Sequence, residues 1–294
     1  MTRLRPLLLV LTVIALVVAG CGRGPSRQEA PRTGAAYVAL GDSYTAGAGI
    51  LPTTDRPCGR SRVNYPSLVA KALKVSTFAD RSCNGATTAQ LQEDQTYAYT
   101  RLNDPQLDAV GPSTTLVTIG LGLNDDALSM GLLLVCLTPL GRPPTDKCQS
   151  YLDTPLTTVE AQMKVAADHV QAAVEKVREL APRARIVVVG YPRLVPDSGS
   201  CPDRLPVPDA QVERMRVGMA YLDQSWAAAA DAAGATYVDM YSASEGHDIC
   251  SADPWVAGYK GVPGKAQPMH PLASYHQAVA ARVEAVVTTG SAGS

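Results

Sequence analysis

The sequence has no apolar run long enough to cross a bilayer. The leading one, Leu7 to Val18, holds twelve residues, against the roughly 20 that a spanning helix needs. It has no excess of either charge. Twenty-six Lys and Arg against 27 Asp and Glu leave a net charge of −1, which excludes the concentrated basic surface that nucleic-acid binding requires. No two cysteines are spaced as C-x₂₋₄-C, so a cysteine zinc site is not expected. There is no internal repeat and no second low-complexity linker. Histidine is scarce, with His169, His247, His270 and His276 as the full set. No metal, nucleotide or other cofactor is expected.

What is present begins with an address. Arg3 and Arg5 precede the twelve-residue run, which has the length of a signal-peptide core. The run ends in Val18-Ala19-Gly20-Cys21, and small residues before a cysteine resemble the bacterial lipoprotein cleavage pattern. That resemblance implies removal of residues 1–20 and lipidation of Cys21 as the mature N-terminus. Several acyl chains on one residue would give stable anchoring. Ordinary secretion, with Cys21 as one more thiol, is the alternative. Both readings put the chain outside the cytoplasm, at the outer face of the membrane or free. Residues 21–34 are rich in Gly, Pro, Arg and Ser and read as a tether. The folded domain is expected over residues 35–289, with 290–294 as a tail.

About 255 residues with ample apolar content suit one α/β domain. Setting Cys21 aside leaves Cys58, Cys83, Cys136, Cys148, Cys201 and Cys250. An even number in an exported chain reads as disulfides, and six cysteines allow fifteen connectivities. Pairing in chain order is the expectation: 58–83, 136–148 and 201–250.

Strands are expected at Tyr37–Leu40, Val75–Ala79, Thr114–Ile119, Arg185–Gly190 and Thr236–Asp239. Helices are expected at Tyr65–Leu73, from Pro155 to about Leu180, at Val212–Ala233 and at Pro271–Val287. Strands alternating with helices imply a three-layer α/β/α sandwich on a parallel, flavodoxin-like sheet of about five strands.

Four features then fall on loops at strand ends. Gly41-Asp42-Ser43-Tyr44 follows strand one, and Asn84-Gly85-Ala86-Thr87-Thr88 follows strand two. Gly122-Leu123-Asn124-Asp125 follows strand three, and His270 precedes the last helix. In this order they resemble the four sequence blocks of the SGNH hydrolases, also called GDSL esterases and lipases. Cys58 and Cys83 bracketing Asn64-Tyr65-Pro66, together with Pro254-Trp255-Val256, resemble the secreted actinobacterial branch.

The resemblance implies a serine esterase or lipase of EC class 3.1.1. Ser43 would be the nucleophile and His270 its base. The backbone N–H groups of Ser43 and Gly85 and the Asn124 amide would form the oxyanion hole. Asp125 is expected to cap the segment after it. His169 and His276 lie in helices, and His247, in a loop near Cys250, is the competitor of His270. Most of the family carries Asp three residues before the histidine, but here Gln267 stands there. The main-chain carbonyl of Gln267 is therefore expected to orient His270, with Asp248 or Asp253 as the alternative. The apolar stretch Leu128 to Leu140 is either a core helix or a wall for an acyl chain, and Trp255 is expected beside that chain.

The partners implied are a small-molecule or lipid ester and, through the anchor, a membrane. The chain is expected to act as a monomer. The rival readings are an O-deacetylase of polysaccharide or cell wall, and an inactive surface-binding lipoprotein of the same fold.

Overall fold

The computed structural model describes residues 36–137 and 145–289. The expected signal peptide, Cys21, the expected tether and tail, and residues 138–140 of the apolar stretch lie outside the described residues.

In chain order, β1 (Tyr37–Gly41) leads into α1 (Ser43–Ala46), a hairpin of β2 (Thr53–Asp55) and β3 (Arg60–Ser61), and α2 (Tyr65–Ala72). Then come β4 (Phe78–Asp80), a second hairpin of β5 (Gln95–Tyr97) and β6 (Thr100–Asn103), and β7 (Leu116–Gly120). The second half holds α3 (Asp146–Asp153), α4 (Leu156–Leu180), β8 (Arg185–Val189), α5 (Asp209–Ala232), β9 (Thr236–Val238), α6 (Met240–Ala243) and α7 (Ala273–Thr289).

Five strands form one parallel sheet in the order β4-β1-β7-β8-β9. The order reverses beside β1, and α/β sheets bind ligands at the carboxyl ends of the strands flanking such a point. Alternate residues divide each strand between two cores. Val38, Leu40, Val117, Ile119, Ile186 and Val188 join the faces of α4 and α5. Tyr37, Ala39, Leu116, Val187 and Val189 join α2 and α7. The three-layer expectation therefore holds.

Two expectations about local elements change. The second strand begins at Phe78, not Val75. Lys74 adopts φ +50° and Val75 N–H returns to the Ala70 carbonyl at 3.2 Å, so this stretch closes α2. The described part of the apolar stretch, 128–137, is half core. Leu128, Leu132 and Leu133 are buried, while Met130 and Leu134 reach solvent. The three disulfides pair in chain order, 58–83, 136–148 and 201–250.

One buried histidine ties the α2–α7 layer together. His276 accepts the Tyr65 N–H at Nδ1, 3.1 Å, and so satisfies a first-turn donor of α2. Burial holds its imidazole down to about 3, against an ordinary 6.5. The unfolded chain thus takes a proton near pH 6.5 that the folded chain refuses until about pH 3. The stability this group contributes is complete above pH 6.5 and is lost as pH falls toward 3. Urea unfolding at pH 6.5 and pH 4 checks this, with a loss through His276 on the order of 3 kcal/mol expected over that interval. His276→Phe should be less stable at neutral pH and show a shallower acid slope.

Candidate active site

The site starts where β1 ends. Gly41 lies in register with Gly120 of β7. A Cβ on Gly41 would fall 2.2 Å from Thr45 Oγ1, and one on Gly120 would fall 2.5 Å from it. Only a pair of glycines lets the first turn of α1 lie against the strand ends, where Thr45 Oγ1 donates to the Gly120 carbonyl at 2.8 Å. The buried Gln106 amide clamps Gly41 from the other side, accepting its N–H at 2.8 Å and donating to its carbonyl at 3.0 Å. Ser43 opens the turn and is 5% exposed.

Asp42 caps that turn. Its Oδ1 accepts Tyr44 N–H at 2.8 Å and its Oδ2 accepts the Tyr191 hydroxyl at 2.6 Å. Burial pushes the Asp42 carboxyl up to about 7, although these hydrogen bonds pull it down. The Tyr191 oxygen accepts the Leu123 N–H at 3.1 Å. One buried hydroxyl thus joins the serine turn to the loop that carries Asn124.

Gly85 sits in that neighbourhood with φ +76°, a left-handed conformation that costs glycine nothing. The Cys58–Cys83 disulfide and the Cys83 N–H to Gly41 carbonyl bond, 3.0 Å, fix its loop to the end of β1. Asn124 Nδ2 donates to the Ala86 carbonyl at 3.0 Å, and its Oδ1 accepts the Ser129 hydroxyl at 3.0 Å. An amide has two N–H donors, so one remains. Among the described residues the N–H groups of Ser43 and Gly85 have no acceptor either. Asp125 does not cap the segment after it. Its buried carboxylate accepts Thr88 N–H at 2.8 Å and meets His169 Nδ1 at 3.1 Å, tying the Gly85 loop to the Asn124 loop.

His270 arrives on a strap between Tyr241 and α7. The strap docks on the serine turn, with Gln267 N–H on the Ala48 carbonyl at 3.0 Å and the Tyr44 hydroxyl on the Met269 carbonyl at 2.6 Å. The His270 ring lies 5.4 Å from the Tyr44 ring, centroid to centroid. Ser43 and His270 therefore flank Tyr44, and no hydrogen bond joins their side chains among the described residues. Such bonds are often long before substrate binds. Burial lowers the His270 imidazole below 6.5, and its hydrogen bond to Pro268 acts the other way.

The partner of His270 Nδ1 corrects an expectation. It is the Pro268 carbonyl, at 2.7 Å, and not that of Gln267. The Gln267 carbonyl already accepts the His270 N–H at 3.2 Å. Met269 at φ +61° turns the chain so that the carbonyl two residues back meets the ring. The Gln267 side chain points elsewhere, its Oε1 accepting from Asn84 Nδ2 at 3.3 Å.

The other candidates have structural partners. Asp248 caps the Cys250 N–H at 2.8 Å. His247 donates Nδ1–H to the Asp253 carbonyl at 2.7 Å and stacks on Trp255 at 4.2 Å. Trp255 itself packs toward the α2–α7 core. Sequence reasoning missed Gln106 and Tyr191, single polar residues outside any motif.

Comparison with known proteins shows the family. The family model described as "GDSL-like Lipase/Acylhydrolase family" matches residues 39–278. Lipase 2 of Streptomyces coelicolor is 35% identical over 243 residues, covering 77% of this chain and 79% of its own. An esterase of Streptomyces scabiei is 29% identical over 300 residues, covering 86% and 85%. The crystal structure of phospholipase A1 from Streptomyces albidoflavus NA297 superposes with a TM-score of 0.68 at 25% identity, over 86% of this chain and 99% of that one.

The hydroxyl bridges can be deleted singly. Tyr191→Phe and Tyr44→Phe should each lower kcat on a p-nitrophenyl ester roughly tenfold, the worth of one buried hydrogen bond, with KM little changed. Steady-state kinetics on the folded variants check this.

Proposed function

The chain belongs to the GDSL-like lipase/acylhydrolase family and is a carboxylic ester hydrolase, and we propose that it cleaves acyl-lipid or other apolar esters through an acyl-enzyme on Ser43. The observation that carries the residue assignment is the convergence of Ser43, three free N–H donors and His270 at one end of the sheet.

In this reading Ser43 Oγ attacks the ester carbonyl while His270 Nε2 takes its proton. The Nδ1–H stays on the Pro268 carbonyl, which fixes the tautomer that leaves Nε2 free to accept. The developing oxyanion is received by the N–H groups of Ser43 and Gly85 and the second Asn124 N–H. His270 then returns the proton to the leaving alcohol, and water repeats the sequence to release the acid. A lowered His270 places the acid limb of kcat/KM below pH 6.5, since the base works neutral.

The chain's similarity to a lipase and a phospholipase A1 supports the apolar-ester reading over a deacetylase. The three disulfides and the N-terminal sequence pattern support export. In this reading residues 1–20 are removed, lipidated Cys21 holds the domain to the membrane through the 21–34 tether, and the domain works as a monomer.

A fluorophosphonate probe and p-nitrophenyl esters from acetate to palmitate test the assignment. Wild type should label and turn over, with greater efficiency on longer chains. Ser43→Ala and His270→Ala should do neither. Asn124→Ala should lose about 10²–10³ in kcat. Asp248→Asn and Asp253→Asn should keep near-full activity, and loss in either would replace the Pro268 carbonyl by a carboxylate.

A further inference from the structure

Asn124 is followed by a turn that strains the chain. Asp126 at φ +48° and Ala127 at φ +58° are both left-handed, and neither is glycine. Such residues persist only where the contacts around them outweigh the cost, and they gather at functional sites. What this turn achieves is a return. The Ser129 N–H reaches the Leu123 carbonyl at 2.9 Å, so the chain closes a loop around Asn124 and Asp125. The Ser129 hydroxyl, brought back in this way, donates to Asn124 Oδ1 at 3.0 Å.

Ser129 forgoes the usual task of a serine in its place. It stands at the entry of a wide turn over Met130–Leu134, closed by the Val135 N–H on the Met130 carbonyl at 2.7 Å. A serine there ordinarily accepts one of the turn's own N–H groups. This hydroxyl accepts none of them. Its support is firm on both sides. Leu128 and Leu132 are buried, and the buried Gln211 of α5 donates from Nε2 to the Leu132 carbonyl at 2.5 Å.

The Asn124 amide has to offer an N–H, and not its oxygen, to a developing oxyanion. The last torsion of an asparagine is broad and roughly two-fold, so the amide plane is not fixed by its own chain. The bond from Nδ2 to the Ala86 carbonyl, 3.0 Å, engages one hydrogen and leaves the plane free to rock about that contact. A second contact at the opposite end of the amide removes that freedom. With Oδ1 on Ser129 and one Nδ2 hydrogen on Ala86, the remaining N–H has a single direction.

We propose that Ser129 is a positioning residue for the oxyanion hole, its hydroxyl holding the Asn124 amide in the plane and the flip that aim the second N–H at the reacting oxygen. This deepens the assignment of Asn124 above and rests on it. Ser129 touches no substrate and acts through Asn124 alone. The left-handed pair at 126 and 127 brings a residue five positions further on back to that amide.

The test is steady-state kinetics of the full chain on p-nitrophenyl butyrate, with wild type, Ser129→Ala, Asn124→Ala and the double variant. Ser129→Ala should lose about tenfold in kcat with KM within about twofold, and its Tm should stay within about 4 °C of wild type. The Ki of butylboronic acid, which becomes tetrahedral on Ser43, should rise about tenfold in step with the loss in kcat. Ser129→Thr, which keeps a hydroxyl, should recover most of the rate. Should Ser129→Ala fold poorly, Ser129→Cys, with only a weak donor, gives the same reading. On the Asn124→Ala background, Ser129→Ala should cost less than about twofold more, because the amide it acts on is gone. Full kcat in Ser129→Ala beside an impaired Asn124→Ala overturns the proposal and leaves the site assignment standing. A tenfold loss repeated on the Asn124→Ala background also overturns it, since Ser129 would then act elsewhere. An equal loss in Ser129→Thr overturns it in favour of packing at that position. Full kcat in Asn124→Ala removes Asn124 from the oxyanion hole, and the proposal falls with it.

Discussion

The structure depends on one buried carboxylate. Asp42 lies between the last residue of β1 and Ser43, shut away from water. It is held there by the Tyr44 N–H and the Tyr191 hydroxyl. A buried carboxyl costs heavily unless its oxygens are used, and each partner it has found is also a tether. Tyr44 reaches the histidine strap through its hydroxyl, and Tyr191 reaches the Asn124 loop through its oxygen. Three loops that share no sequence neighbourhood are thereby held to one turn. The carboxyl raised to about 7 is the electrostatic mark of that arrangement.

Around this centre the scaffold divides its tasks. The α4–α5 face supplies the larger core, and buried Trp226 donates to the Leu121 carbonyl at 3.2 Å beneath the Asn124 loop. The α2–α7 face carries the helix that follows His270. Disulfides act where helices cannot. Cys58–Cys83 fixes the Gly85 loop, and Cys201–Cys250 joins the loop after β8 to the histidine strap. Gln267, which stands where most of the family carries aspartate, reaches Asn84 and couples strap to loop. A main-chain carbonyl takes over the orientation of the ring.

How much of this was legible follows from where each piece of information resides. The sheet, its five strands and its long helices are written in side-chain periodicity, and they match within a few residues. Ser43, Gly85, Asn124 and His270 came from the resemblance to the family's four sequence blocks. The Pro268 carbonyl was not legible, because every residue has a carbonyl and only φ at Met269 decides which one meets the ring. Gln106 and Tyr191 act through contacts 65 and 149 residues distant in sequence. The β5–β6 hairpin was hidden because its turn carries Ala98-Tyr99 and not the Asn-Gly that announces such turns.

The central claim is that Ser43, Gly85, Asn124 and a carbonyl-oriented His270 form one reacting centre. A crystal structure of the chain after reaction with an alkyl phosphonate tests it most directly. The account predicts phosphorus on Ser43 Oγ and one phosphonate oxygen about 2.7–3.1 Å from the Ser43 and Gly85 nitrogens and Asn124 Nδ2. It also predicts that His270 Nδ1 stays on the Pro268 carbonyl with Nε2 turned to the adduct. Phosphorus on another residue, an oxygen facing away from those donors, or Nδ1 on a carboxylate would contradict it.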